Sequence, residues 1–438
     1  MRDIFLVAFL IIAIYYSFKK PYIGVAAWIW IALFAPTNWA FGFSQSFRLN
    51  LTIVISTALA YLFCKEKYKF HFTSLHFWVF LFCFWMLLST IFNLRLSSEY
   101  AWTKYIEFLK VITLFVFISL TVRTKKAIEV MVWSIVLSIS AYAAIEAVKF
   151  ILSAGGHQIV GRSGIIADRN DLAVAINMCL PLIFYLWTQT KHQYLKIGLI
   201  LLIILNVIAI VGTYSRGGFI GLAVLAFAMW LKSKRKLAIA FVALISLPII
   251  FASAPSQWIE RQSTIETAAT SDGSFIGRLW AWKIATLIAI DNPITGGGFK
   301  ATTDPILWAT YAPETSNFGF IDTPAIPIRK TAIAAHNIYF QVLASAGFVG
   351  LFIFLAMLLT TLLSCRKITK IRNKASVFWQ GNLAKAIFLS FIAYGITGLN
   401  VSLAYFELVY CLIGITAVLL TNIRETLTET NTKMRGTD

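Results

Sequence analysis

The sequence predicts an all-α polytopic membrane protein, with about 12–13 transmembrane helices and one large outer loop containing short helices. Three observations carry this. Of the 438 residues, 59% are hydrophobic and only 13% charged, and the mean hydropathy is +0.77. A soluble domain is nearer half apolar and a quarter charged. The apolar residues fall in runs close to the roughly 20 residues that a helix needs to cross hydrocarbon. Lysine and arginine gather in alternate short connectors, the signature of membrane orientation. The net charge of +19 therefore reports orientation, and no nucleic-acid partner is expected.

In chain order the apolar runs are Ile4–Phe18, Tyr22–Ala35, Leu49–Phe63, Leu75–Phe92, Tyr105–Val122, Ile128–Leu152, Leu172–Trp187, Leu195–Thr213, Gly217–Leu231, Leu237–Ala252, Ile338–Leu363, Ala384–Leu399 and Leu403–Leu420. The first follows Met1-Arg2-Asp3 and ends at Lys19-Lys20-Pro21 with no small-residue cleavage site, so it reads as a retained helix. The first two are short enough to form a hairpin, which would leave the N-terminus inside rather than outside.

Basic connectors at Lys19/Lys20, Lys65/Lys67/Lys69, Arg123/Lys125/Lys126, Lys191/Lys196, Lys232–Lys236 and Arg366–Lys374, and the tail with Arg424, Lys433 and Arg435, fall on one side. The intervening loops hold chiefly Arg48, Arg95, Lys104, Arg162, Arg169 and Arg216. The positive-inside rule makes the first side cytoplasmic. The expected organisation is a membrane bundle over 1–252, a periplasmic loop over 253–335, C-terminal transmembrane helices over 336–422 and a cytoplasmic tail over 423–438. In a bacterium this is an inner-membrane protein. The five cysteines lie in apolar runs or basic connectors, which argues against a disulfide framework.

The loop from Ser253 to Ala335 is too long for a simple connector. Prolines divide it. One stretch, Phe275–Ile290, carries apolar residues at helical spacing (Leu279, Trp280, Trp282, Ile284, Leu287, Ile288), and Asp291-Asn292-Pro293 stops it. A helix lying over the membrane domain is expected there.

Candidate chemistry clusters on the outer side. His336-Asn337 stands where the loop meets an apolar run, followed by Gly347 and Gly350. An imidazole there is either an ordinary boundary residue or a base placed for a substrate that is part lipid and part polar. Asn337 can cap the helix that follows, and the glycines can serve close packing. Arg216, in Thr213-Tyr214-Ser215-Arg216-Gly217-Gly218, occupies a tight outer connector against the orientation rule. Either it snorkels to lipid headgroups or its guanidinium binds an anion, above all a phosphate. Arg278 opens the expected loop helix, where backbone amides also favour an anion; a solvated surface charge is the plainer alternative. The loop Gly161–Asn170 holds Arg162 and Arg169, which could extend an anion site, and Asp168 and Asn170, either of which can cap the next helix. Trp258, Trp308 and Tyr311 are candidates for stacking on sugar faces. The outer carboxylates are scattered, with no close pair to hold a divalent metal, so neither metal nor cofactor is expected.

Taken together these residues resemble the O-antigen ligase superfamily of bacterial inner-membrane proteins, which includes O-antigen ligases, O-antigen polymerases and protein O-oligosaccharyltransferases. The ordered set is Gly161–Asn170, Ser215–Gly218, Arg278 with Asp291-x-Pro293 and Gly296–Gly298, and His336-Asn337 with Gly347 and Gly350. The N-terminal part, from Arg2-Asp3 through Lys20-Pro21 and Trp28–Pro36, is similar to the O-glycosylation ligases found with the exosortase A system. The resemblance implies an undecaprenyl-diphosphate-linked glycan donor and an acceptor glycolipid or glycoprotein, with membrane lipids around both. It implies that His336, Arg216 and Arg278 are catalytic, and that Asn337, Ser215, Arg162, Asp168, Asn170, Gly347 and Gly350 bind substrate. An O-antigen polymerase using the same donor, and a lipid-linked oligosaccharide flippase, are the alternatives. Reporter fusions inserted in the Ser253–Ala335 loop are expected to read periplasmic; a cytoplasmic readout would remove the whole site from its substrate.

Overall fold

The computed structural model describes residues 2–40, 42–65, 67–94, 99–161, 164–231, 236, 273–316, 318–319, 321–327, 331–371 and 377–435. The apolar run Leu237–Ala252 lies outside these residues. So do Arg95, Arg162, Trp258, Glu260, Glu266, Asp272 and the basic positions 232–235, Arg372 and Lys374.

Fourteen helices are described: α1 (Arg2–Lys19), α2 (Pro21–Phe34), α3 (Leu49–Phe63), α4 (Ser74–Ile91), α5 (Glu99–Thr121), α6 (Lys125–Leu152), α7 (Arg169–Gln189), α8 (Gln193–Gly212), α9 (Arg216–Leu231), α10 (Gly273–Asp291), α11 (Pro305–Tyr311), α12 (Ile338–Ile371), α13 (Phe378–Thr397) and α14 (Glu407–Arg435). Among the described residues there is no strand. Seven helices (α4, α6, α7, α8, α12, α13 with its last turn, and α14) are long and apolar enough to cross a membrane, and α2, α3 and α9 are shorter apolar helices. The protein is thus an all-α, multi-pass membrane protein. α14 runs unbroken to Arg435, so residues 423–435 of the expected tail extend the last helix.

Local chemistry sets the helix starts. The Thr73 and His76 side chains form a reciprocal capping box on α4, and Thr124 accepts from the Ala127 amide at the start of α6. Pro21 opens α2, where its missing N–H costs nothing. Packing then orders the layers. α1, α2 and α3 lie on one another, α2 rests on α6, and α7 contacts α6, α8, α9 and α13. α12 bridges α4 and α13, and α14 packs on α5. α7 and α14 are central, with 78% and 83% of their spanning windows buried, whereas α8 is peripheral at 28%.

The ends of the bundle sort cleanly. Arg2 donates to the Trp39 carbonyl, Trp39 meets Tyr142 edge-on, and the Tyr142 hydroxyl donates to Val160 O. The first residues of α1 therefore lie at the same end as the 153–168 loop. The opposite end carries Arg123, which donates to Lys69 O, and Asn422, which donates to Arg123 O. The N-terminus thus shares an end with the candidate site, as a chain of 13 crossings requires and the hairpin alternative does not.

α12 is broken at Gly347, whose φ of 67° and ψ of −170° are non-helical. The break frees backbone groups, and unpaired backbone polar groups are costly away from water. Protein groups take up the three freed carbonyls. Gly297 N–H donates to Ala344 O and Gly298 N–H to Ser345 O, the Ser89 hydroxyl also donates to Ser345 O, and Trp85 Nε1 donates to Ala346 O. In return Phe348 N–H donates to Pro293 O at 2.8 Å.

The loop region that docks on this break has its own core. Ile276, Trp280, Ile284, Ile288, Leu307, Trp308 and Tyr311 pack together against Ala344 of α12. The helix expected over Phe275–Ile290 is α10, which ends at Asp291. Trp308 and Tyr311 are 3% and 6% exposed, so they fill this core and leave no face for a sugar. The Tyr311 hydroxyl donates to Asp291 at 2.8 Å, and burial and that carboxylate push its pKa up to about 12. Lys283, also buried, donates to Thr315 O and Thr323 Oγ1; burial holds its ammonium below the ordinary range, opposed by Asp322. A Cβ at Gly347 would lie 2.5 Å from Pro293 O on a backbone that L residues avoid. Gly347→Ala is expected to destabilise the protein by about 1–3 kcal/mol or more, read as a lowered unfolding temperature in detergent.

Candidate functional site

Arg216 is the first residue of α9. Its connector is shaped by Tyr214, held at φ 53° with its hydroxyl donating to Gly155 O. The Ser215 hydroxyl donates to Asn170 Oδ1 at 2.7 Å and accepts from Gly218 N–H. Asn170 N–H in turn donates to Asp168, the N-cap of α7. Deeper, Asn177 of α7 donates to Gly218 O. Glycines let these helices meet: a Cβ at Gly218 would lie 2.6 Å from that of Ala173, and one at Gly221 would collide with Thr397. Because Arg216 begins its helix, its guanidinium and the helix N-terminus attract an anion together.

Arg278 lies one to two turns inside α10, which starts at Gly273. The expected anion-favouring helix start is therefore not at Arg278, and its contribution is the guanidinium alone. That group, half-buried, donates to Asn400 Oδ1. Trp282, one turn on, donates to Ala335 O at 2.7 Å and stacks on Phe340 at 5.2 Å with a 6° interplanar angle. These contacts set α10 in register with the start of α12.

His336 stands just before α12, within electrostatic reach of Arg278 and Asp168. Its φ of 44° is left-handed and strained for a non-glycine residue. The backbone is pinned on both sides: its N–H donates to Ser402 Oγ at 3.0 Å, and Asn337 Oδ1 caps α12 by accepting from Tyr339 and Phe340 N–H. The imidazole makes no hydrogen bond to a described residue, which leaves it able to accept a proton. Burial and the Arg278 charge hold its pKa below the ordinary 6.5, opposed by Asp168.

These pairs close a ring: His336, Arg278, Asn400, the Arg216–Gly217 turn, Ser215, Asn170, Asp168 and back to His336. Of the residues singled out in the sequence, the structure brings together His336, Arg216, Arg278, Asn337, Ser215, Asp168 and Asn170. Arg162 lies outside the described residues. Gly347 and Gly350 have packing positions instead. Gly347 receives the Pro293–Ile294 backbone, and Gly350 faces Ala346 and the Trp85 ring. Asn400 and Ser402 escaped the sequence reading, which took the flanking runs only as spans. Their signal was two polar side chains in a short connector on the outer side.

One end of the helical bundle thus carries two arginines and an imidazole that makes no hydrogen bond to a described residue. Residues 174–355 match the O-antigen ligase family, and residues 1–192 match a family of unknown function (DUF5935). No curated protein matches the chain. The match over residues 174–355 supports the O-antigen ligase superfamily, and with it a glycan ligase- or polymerase-type activity.

A pH profile tests the role of the imidazole. A base must be neutral to work, and a lowered pKa keeps His336 neutral to lower pH. The acid limb of kcat/KM is therefore expected below pH 6.5. Asp168→Asn keeps the helix cap but removes the charge that raises this pKa, so the limb should move further down; an upward shift would break the link.

Proposed function

We propose that the protein is an inner-membrane glycan ligase. It transfers an oligosaccharide from undecaprenyl diphosphate to an acceptor hydroxyl on the periplasmic face, inverting the anomeric carbon and using no metal. The convergence of Arg216, Arg278 and His336, from three separate segments, on one end of the bundle carries this reading.

In this mechanism the donor enters between helices, and its polyprenyl tail stays in the bilayer. Arg216 and Arg278 grip the diphosphate. The acceptor oxygen attacks the anomeric carbon while His336 takes its proton. The bond from that carbon to the phosphate oxygen breaks, and the electron pair leaves on the diphosphate, where the arginines stabilise the charge. The diphosphate leaving group supplies the driving force. A single displacement inverts the carbon. The acceptor is a protein serine or threonine or a lipid A-core sugar; a growing lipid-linked glycan as acceptor would make the same site a polymerase.

His336→Ala, Arg216→Ala and Arg278→Ala are expected to accumulate as wild-type protein yet transfer glycan about 10²–10⁴-fold more slowly, measured with purified lipid-linked donor. Normal transfer by the histidine variant would sink the general-base role.

A further inference from the structure

We infer that Asn400, in the connector between α13 and α14, is the positioning residue that aims Arg278 and seats the Arg216 turn. This rests on the function proposed above. The connector lies outside both matched regions, which end at residues 192 and 355, so family membership assigns it nothing.

One short piece of chain touches all three members of the site. Asn400 Oδ1 accepts from Arg278 Nη1. Its side chain also rests directly on Gly217, the neighbour of Arg216, so closely that a Cβ there would overlap the amide. Two residues on, Ser402 accepts from the strained His336 N–H. The connector is in turn fixed to α12. Ala404 N–H donates to Gln341 Oε1 at 3.0 Å, the Tyr339 hydroxyl donates to Gly395 O, and Gly398 is closed over by Ile338. It is fixed to its own helix as well, where the Tyr394 hydroxyl donates to Leu403 O.

This arrangement solves a geometric problem. Arg278 stands on α10, outside the membrane bundle, whereas Arg216 stands on α9 within it. A diphosphate needs both guanidiniums at fixed separation. Asn400 is the side chain in contact with both elements. Its amide oxygen takes one Arg278 N–H, which sets the plane and direction of the guanidinium fork. A guanidinium without that acceptor would retain its charge and lose its aim.

The test uses full-length protein and undecaprenyl diphosphate as probe, with undecaprenol as the phosphate-free control. Asn400→Ala is expected to weaken undecaprenyl diphosphate binding about 10-fold, the effect of losing a hydrogen bond to a charged group, without changing undecaprenol binding. Asn400→Leu keeps the volume but no acceptor oxygen and should bind as weakly as Asn400→Ala, which a loss of packing alone would not predict. Added to Arg278→Ala, Asn400→Ala should cost less than it does alone. If Arg278→Ala weakens binding while Asn400→Ala binds as wild type, the inference fails and the proposed function stands. If neither variant weakens it, the reading of the arginines fails with it. An Asn400→Leu variant that binds as wild type also overturns the role of the acceptor oxygen. Should Asn400→Ala not fold, the comparison of Asn400→Leu with wild type decides.

Discussion

The break in α12 at Gly347 is the constraint on which the rest of the architecture depends. A membrane helix interrupted within its apolar run exposes carbonyls that lipid cannot satisfy. Here the carbonyls of Ala344, Ser345 and Ala346 are taken up by the Gly297 and Gly298 amides and by Ser89 and Trp85 of α4. The exchange joins three parts of the chain at the level of the backbone, which is more rigid than a contact between side chains. It fixes the outer segment to the bundle, and the separation of α10 from α12 follows from it.

The position of Arg278 relative to His336 is a consequence. α10 is anchored at its C-terminal end by the Asn292–Gly298 docking, and along its length by Trp282, which reads the Ala335 carbonyl. His336 is the next residue, and its left-handed backbone is held by Ser402 and by the Asn337 cap. Strain in a non-glycine residue persists only when its surroundings over-determine it. Here hydrogen bonds from two other segments do so, at the residue whose side chain is left unengaged.

Much of this was legible in the chain. Twelve of the apolar runs are helices, and most ends fall close to those read from hydropathy, because length and apolarity are what a bilayer selects; α5 and α13 start earlier, and α12 and α14 run on past the apolar stretch. Lysine placement predicted that Arg216, Arg278 and His336 share an end. Other features were hidden for physical reasons. Gly296–Gly298 was legible only as one member of the ordered set; that the Gly297 and Gly298 amides serve the α12 carbonyls is an exchange no one-dimensional pattern reveals. Trp308 and Tyr311 looked like sugar platforms because aromatic residues suit both a glycan face and a small core. Asn400 carries no charge and sits in no recognisable spacing. Its importance arises from what approaches it in space, the Gly217 backbone and a guanidinium 122 residues away.

The charges of the site also act on one another in a useful order. Burial and Arg278 keep the His336 imidazole neutral while the site is empty, and Asp168 pulls in the other direction. Under the proposed function a bound diphosphate would set its negative charge against Arg278, and the hold of that guanidinium on the imidazole would weaken. The base would then become a stronger proton acceptor when the donor is in place, and it would resist idle protonation when the donor is absent. The guanidinium would thus grip the leaving group and tune the base, which is a physical reason for an arginine to stand beside the histidine. A lysine would carry the same charge. It would lack the planar fork whose direction one hydrogen bond to Asn400 sets.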